Sequence, residues 1–87
     1  MSNIDWSKIP ASQYPFLKDK IPTGRTKNHQ MIYKDKKGKF YYHKDEKHGE
    51  IEKYNSRYKH VGVITPEGDP HPKKKRKKDR DIKDQMR

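Results

Sequence analysis

The chain has 87 residues, 40 % of them charged and 26 % hydrophobic, with a formal net charge of +11 at neutral pH. A chain this short makes one domain and hides only about 60 % of its unfolded surface on folding, so its core is thin. The charge points to a polyanionic partner, nucleic acid first, because self-repulsion on this scale is a cost that a neutral ligand would not require. No apolar run approaches the roughly 18 residues of a membrane span, no amphipathic helix of useful length is visible, and the first residues do not read as a secretory signal. With no cysteine, disulfides and thiolate metal sites are excluded.

From the N-terminus, the first element is a short helix around residues 6–9, limited by Pro10, Pro15 and Pro22. Ile4, Trp6, Ile9, Phe16 and Leu17 form an arm expected to cap one side of a sheet. Residues 21–28, with Pro22, Gly24, Arg25 and Lys27, read as a basic linker suited to contacting phosphates. Residues 30–34, 39–44, 50–55 and 58–64 are short runs rich in Tyr, Phe, Ile and Val, separated by turn-forming stretches, a pattern that predicts an antiparallel meander. Their rings, with Tyr14 and Phe16, supply the core, since an aromatic side chain buries a large area. Pro66, Gly68, Pro70 and Pro72 then forbid regular structure. The last segment, residues 73–87, opens with Lys73, Lys74, Lys75, Arg76, Lys77 and Lys78 and reads as an extended arm that becomes ordered on its RNA. The fold class is α+β, mainly β: a small twisted antiparallel sheet with a short N-terminal helix and a basic C-terminal tail. Within the single domain the divisions are an arm and linker (1–28), a sheet with the active site (29–64), and a turn and tail (65–87).

Charge is unevenly spread. Residues 1–44 carry ten basic and three acidic groups, 55–72 are balanced, and 73–87 carry nine and three, whereas 45–54 carry two basic and four acidic groups. Carboxylates near phosphates weaken the binding of a polyanion, so a lone acidic island calls for a reason, and acid–base chemistry on the bound strand is one. Strand alternation puts His48, Glu50, Glu52 and Tyr54 on one face, with Ile51 and Lys53 on the other. The neighbouring strands add Tyr41, His43 and Asp45 on one side, and Tyr58 and His60 on the other, to that polar face, with Val61 and Val63 turned away. RNA cleavage without metal needs a base for the 2′-hydroxyl proton, an acid for the departing 5′-oxygen and a cation for the phosphorane, and Glu, His and Arg are the natural set. Glu50 beside Glu52 would push the latter's pKa upward, and Asp45 would hold a histidine charged and oriented. Arg80 reaches the site if the tail folds back.

The run Asp45, His48, Gly49, Glu50, Glu52, Tyr54, followed by His60-Val61-Gly62, Asp69-Pro70, a lysine-rich stretch and Arg80-Asp81-Ile82, resembles the cytotoxic domain of the ribosomal-RNase colicins, of the colicin E-three and cloacin type. The resemblance spans about residues 42–83. It implies an endoribonuclease toxin that cuts 16S rRNA at the ribosomal decoding centre with no metal and no cofactor. Asp45, His48, Glu50, Glu52 and Arg80 would be catalytic: Glu52 the general base, His48 and Asp45 its assistants, Arg80 the phosphate stabiliser. Tyr54, His60 and the basic residues 73–78 would bind substrate. The implied partners are the ribosome and an acidic immunity protein. The implied setting is a monomeric C-terminal domain of a larger delivery protein, without membrane anchor, released by the producer and acting in the target-cell cytoplasm.

Blander readings stand beside these. His48, Glu50 and Glu52 also describe a solvated polar strand face, or three metal ligands. The basic run fits a solvated tail or a localisation-type signal. The tyrosines fit packing better than base stacking, and His29, His43, His60 and His71 fit ordinary surface positions, His60 being the one to test. The alternative function is a non-catalytic RNA- or ribosome-binding module, which would have no need of Asp45, His48 and Glu52 together.

Overall fold

The computed structural model describes residues 4–74, 77 and 80–87. Five strands, β1 (Ile21–Lys27), β2 (Gln30–Lys34), β3 (Phe40–Lys44), β4 (Ile51–Asn55) and β5 (His60–Ile64), form one antiparallel sheet whose spatial order is the sequence order. The expected mainly-β meander is therefore present. It has one more strand than the alternation suggests: residues 21–27, read as a linker, form the edge strand β1 on β2. An edge position tolerates Pro22 and Gly24, and the pairing shifts register between Pro22 and Thr26. Asn28 and His29 close this hairpin with φ of 52° and 67°, the left-handed pair that a tight two-residue turn requires.

No regular N-terminal helix forms. Three 3₁₀ turns, Trp6–Lys8, Ala11–Gln13 and Pro15–Leu17, take its place, because Pro10 and Pro15 interrupt helical hydrogen bonding every few residues. The one α-helix, α1 (Lys83–Met86), is at the other end of the chain. Among the described residues no helix is long and apolar enough to cross a membrane.

Both faces of the sheet are covered. On one, Tyr33, Tyr42, Ile51 and Ile64 pack against Ala11, Tyr14 and Leu17 of the arm, with Trp6, Ile9 and Phe16 at the margin. Two edge-to-face pairs fasten it, Trp6 with Tyr14 at 5.1 Å and Phe16 with Tyr42 at 4.9 Å between ring centres. Ile4 is exposed and takes no part in the cap assigned to it.

The other face carries a smaller core of Ile32, Tyr54 and Ile82, flanked by Tyr41, Tyr58 and Met86. Here the sequence reading needs correction, since residues 80–82 dock on the protein itself. The backbone N–H of Ile82 donates to the Tyr58 carbonyl at 3.0 Å, and that of His60 to the Arg80 carbonyl at 3.1 Å. Ile82 is fully buried, and its apolar area is what a purely basic arm would have lacked.

Candidate active site

The polar half of that second face is built around Glu52. Cross-strand pairing sets His43 and Val63 directly beside it, and His60 beside Tyr54. Val63 was expected on the opposite face. Tyr54 pairs with His60 while Lys53 pairs with Gly62, so Val61 is an extra residue, and this bulge returns Val63 to the Glu52 side.

Glu52 is buried and held at both oxygens: Oε2 accepts from His60 Nε2 at 2.7 Å and Oε1 from Arg80 Nη1 at 2.9 Å. The backbone N–H of Lys77 donates to His60 Nδ1 at 2.9 Å, which fixes the ring proton on Nε2, facing the carboxylate. Burial pushes the Glu52 carboxyl up, but the hydrogen bond from His60 and the positive charge of Arg80 outweigh it and hold the group below the usual carboxylate range. The upward shift anticipated from Glu50 does not occur, because these groups prevail and Glu50 is itself paired with a cation. Gly49 turns the chain with φ of 76°, and β4 starts only at Ile51. Glu50 therefore bonds Lys74 Nζ at 3.0 Å and lies 3.5 Å from His71 Nε2. The histidines are also redistributed. His60 is buried against Glu52 rather than open to substrate. His43 is no surface residue either: Nδ1 donates to the Lys44 carbonyl at 3.0 Å and Nε2 accepts from the Tyr54 hydroxyl at 2.8 Å. Burial lowers the His43 pKa, keeping the ring neutral, and raises that of Tyr54, keeping the hydroxyl a donor.

Asp45 and His48 face this group from the turn before β4. The Asp45 carboxylate accepts the backbone N–H of Lys47 at 3.0 Å and of His48 at 3.3 Å, and pairs with His48 Nδ1 at 2.8 Å. Burial raises its pKa, but the bonds from His48 and Lys47 win and hold it low, as the expected pairing requires. Gly49 packs this turn against the arm, where an added Cβ would meet the Ser7 nitrogen at 2.5 Å. Lys44 fastens the same junction, its buried ammonium donating to the carbonyls of Ser7 at 2.9 Å and Ile9 at 2.7 Å.

Two cavities meet over these residues. One, of about 560 Å³, is bounded by Lys27, Asn28, Lys47 and Tyr54, and the other, of about 410 Å³, by Val63, Lys73, Lys74 and Lys77; Asp45, His48, Glu52 and Arg80 line both. Four of the five residues assigned catalytic roles are thus brought together, and Glu50 lines neither cavity. Lys75, Arg76 and Lys78 lie outside the described residues. Lys27, Asn28 and Lys47 also line the larger cavity without having been assigned to the site; for Lys27 the signal was the basic composition of residues 21–28. Among the described residues no group of three or more His, Asp or Glu side chains is arranged to hold a metal ion.

A basic sheet protein that gathers an ionised carboxylate, an aspartate-held imidazole and a guanidinium in one cleft is equipped for acid–base chemistry on an anion. The family model described as Cytotoxic matches residues 11–83, so the chain belongs to the Cytotoxic family and is a toxin domain. No curated protein matches it.

Proposed function

We propose that this toxin domain is an endoribonuclease that cleaves 16S rRNA at the ribosomal decoding centre by metal-independent attack of a 2′-hydroxyl. The observation that carries the reading is the single constellation in which Glu52 meets Arg80 at 2.9 Å, with the Asp45 and His48 pair lining the same two cavities. The Glu52 carboxylate takes the 2′-hydroxyl proton as that oxygen attacks the adjacent phosphorus. The bond from phosphorus to the 5′-oxygen breaks, and His48 gives that oxygen a proton. His48 Nδ1 is occupied by Asp45, so Nε2 is the nitrogen free to do so. The products are a 2′,3′-cyclic phosphate and a 5′-hydroxyl end.

Arg80 links binding to basicity. A carboxylate whose pKa is depressed is a poor base. When a substrate phosphate engages the half-exposed guanidinium, part of the positive charge that depresses Glu52 is withdrawn and its basicity rises. The lysines of the second cavity supply attraction for the ribosome. On this reading the domain works as a monomer at the end of a longer delivery polypeptide and acts in the target-cell cytoplasm. The producer would guard itself with an acidic immunity protein.

The test is incubation of intact ribosomes with the purified chain and a chelator. Cutting of 16S rRNA by the wild type, and its loss in Glu52→Gln and in His48→Ala, is the expected result. Cutting that needs added metal, or that survives both substitutions, sinks the mechanism. Ribosome binding without any cutting would leave the non-catalytic module standing.

A further inference from the structure

The family resemblance gives no role to Lys27, yet its side chain lines the larger cavity. It stands at the end of the edge strand β1 and is half-buried, with its ammonium 5.6 Å from the centre of the Tyr54 ring. The ammonium donates to the Asp81 carbonyl at 2.9 Å. That bond uses one of its three N–H groups, and among the described residues it makes no ion pair. Lys44, in the same cavity, is by contrast committed to two carbonyls of the arm.

Lys27 also shares its cavity with Arg80. Burial, and next the charge of Arg80, push the Lys27 pKa down, although Asp81 and Glu52 oppose this. Two cations turned into one partly dry cavity repel each other, and an anion seated between them removes that cost. Since Lys77 lines only the other cavity, and Arg80 lines both, the cationic side chains form a path that runs past Glu52 on either side.

We propose that Lys27 marks a second phosphate subsite, which takes the phosphodiester neighbouring the one cut, on the side of Arg80 away from Lys77. The subsite deepens the ribonuclease reading and rests on it for the choice of single-stranded RNA as ligand. Asn28, in the left-handed turn that ends β1, contributes an amide to the same wall.

The experiment uses the full chain in a Glu52→Gln background, to prevent cutting, and follows equilibrium binding of a fluorescent single-stranded RNA 12-mer at several salt concentrations. Each phosphate contact contributes about 0.7 to the slope of log affinity against log salt for single strands. Lys27→Met is expected to weaken binding and flatten the slope by about that amount, and Lys27→Arg to keep it. Lys36→Met, on the exposed turn between β2 and β3, serves as the control for loss of one positive charge and is expected to leave the slope unchanged. If Lys27→Met keeps the full slope, or Lys36→Met flattens it equally, the subsite is overturned and Lys27 only ties the tail to β1. Cleavage of ribosomes by the otherwise wild-type chain, followed in parallel, separates the two claims. Cutting with no Lys27 effect on the slope overturns the subsite alone, and a Lys27 effect without cutting overturns the ribonuclease reading alone.

Discussion

The two faces of the sheet are made from alternate residues of the same strands and have opposite tasks. The face under the N-terminal arm is largely dry: Tyr42, Ile51 and Ile64 meet Tyr14 and Leu17, and the buried ammonium beside them, that of Lys44, is tied to two arm carbonyls. The face under the C-terminal segment is divided, with Ile32, Tyr54 and Ile82 forming a small core beside buried His43, Glu52 and His60. Burying polar groups is tolerable only when each is partnered. Here the partners come from far along the chain, as with Arg80 on Glu52 and the Lys77 backbone on His60. One face therefore supplies stability, and the other spends part of it to hold chemical groups at fixed positions.

Substitutions that act on one face alone test this division. The largest effect is expected at Glu52, where Glu52→Gln should lower the cleavage rate by about 10²–10⁴, the usual contribution of a general base, with circular dichroism showing a folded sheet. A fully active Glu52→Gln protein would erase the distinction between the faces. On the dry face, Leu17→Ala should cost about 2–5 kcal/mol in urea unfolding. Its activity per folded molecule should be unchanged, and a selective loss of rate would show that the arm does more than hold the sheet. Tyr54→Phe lies between the two, since it removes the donor to buried His43 Nε2. Leaving one buried acceptor unpartnered should cost about 1–3 kcal/mol, read by the same unfolding curve.

The smallest effects are in the pH dependence of stability, where the groups of the polar face set the acid limb and the buried tyrosines of both faces set the alkaline one. His43 is held neutral in the fold, its pKa depressed from 6.5 by burial. The stability linked to it is present above 6.5 and is lost as pH falls and the unfolded chain takes up the proton. Glu52 and Asp45 also have depressed pKa values, so their contribution is present above the ordinary 4.5 and 3.8 and fades below them. Tyr14 and Tyr42, on the dry face, are pushed up by burial to about 12. Their contribution is complete below 10 and declines as pH rises through 12. Urea midpoints measured across pH should thus fall on the acid side through the polar face and on the alkaline side through the tyrosines, Tyr14 and Tyr42 of the dry face among them. Tyr42→Phe should flatten the alkaline limb only.

Much of this was legible in the sequence because it depends on local pattern. β2 to β5 follow from alternation and turn residues, and the Asp45 and His48 pair follows from a three-residue spacing closed by Gly49. What was missed depends on contacts that composition does not encode. β1 was hidden because Pro22 and Gly24 argue against a strand except at an edge. The face of Val63 was mis-sorted by one bulge residue, and the pairing of Glu50 with Lys74 joins residues 24 positions apart, which no local pattern encodes. The docking of Arg80 was conditional in the sequence, since fifteen residues rich in lysine conceal one isoleucine, Ile82, that binds the segment to the sheet.

The central claim is that the polar face cuts RNA through Glu52 and a 2′-hydroxyl. It is tested most directly by the chemistry of the new 3′ end in 16S rRNA from ribosomes treated in the presence of chelator. A 2′,3′-cyclic phosphate that forms with the wild type and not with Glu52→Gln is the predicted result. A 3′-hydroxyl end, or a cyclic phosphate formed equally by Glu52→Gln, would contradict it.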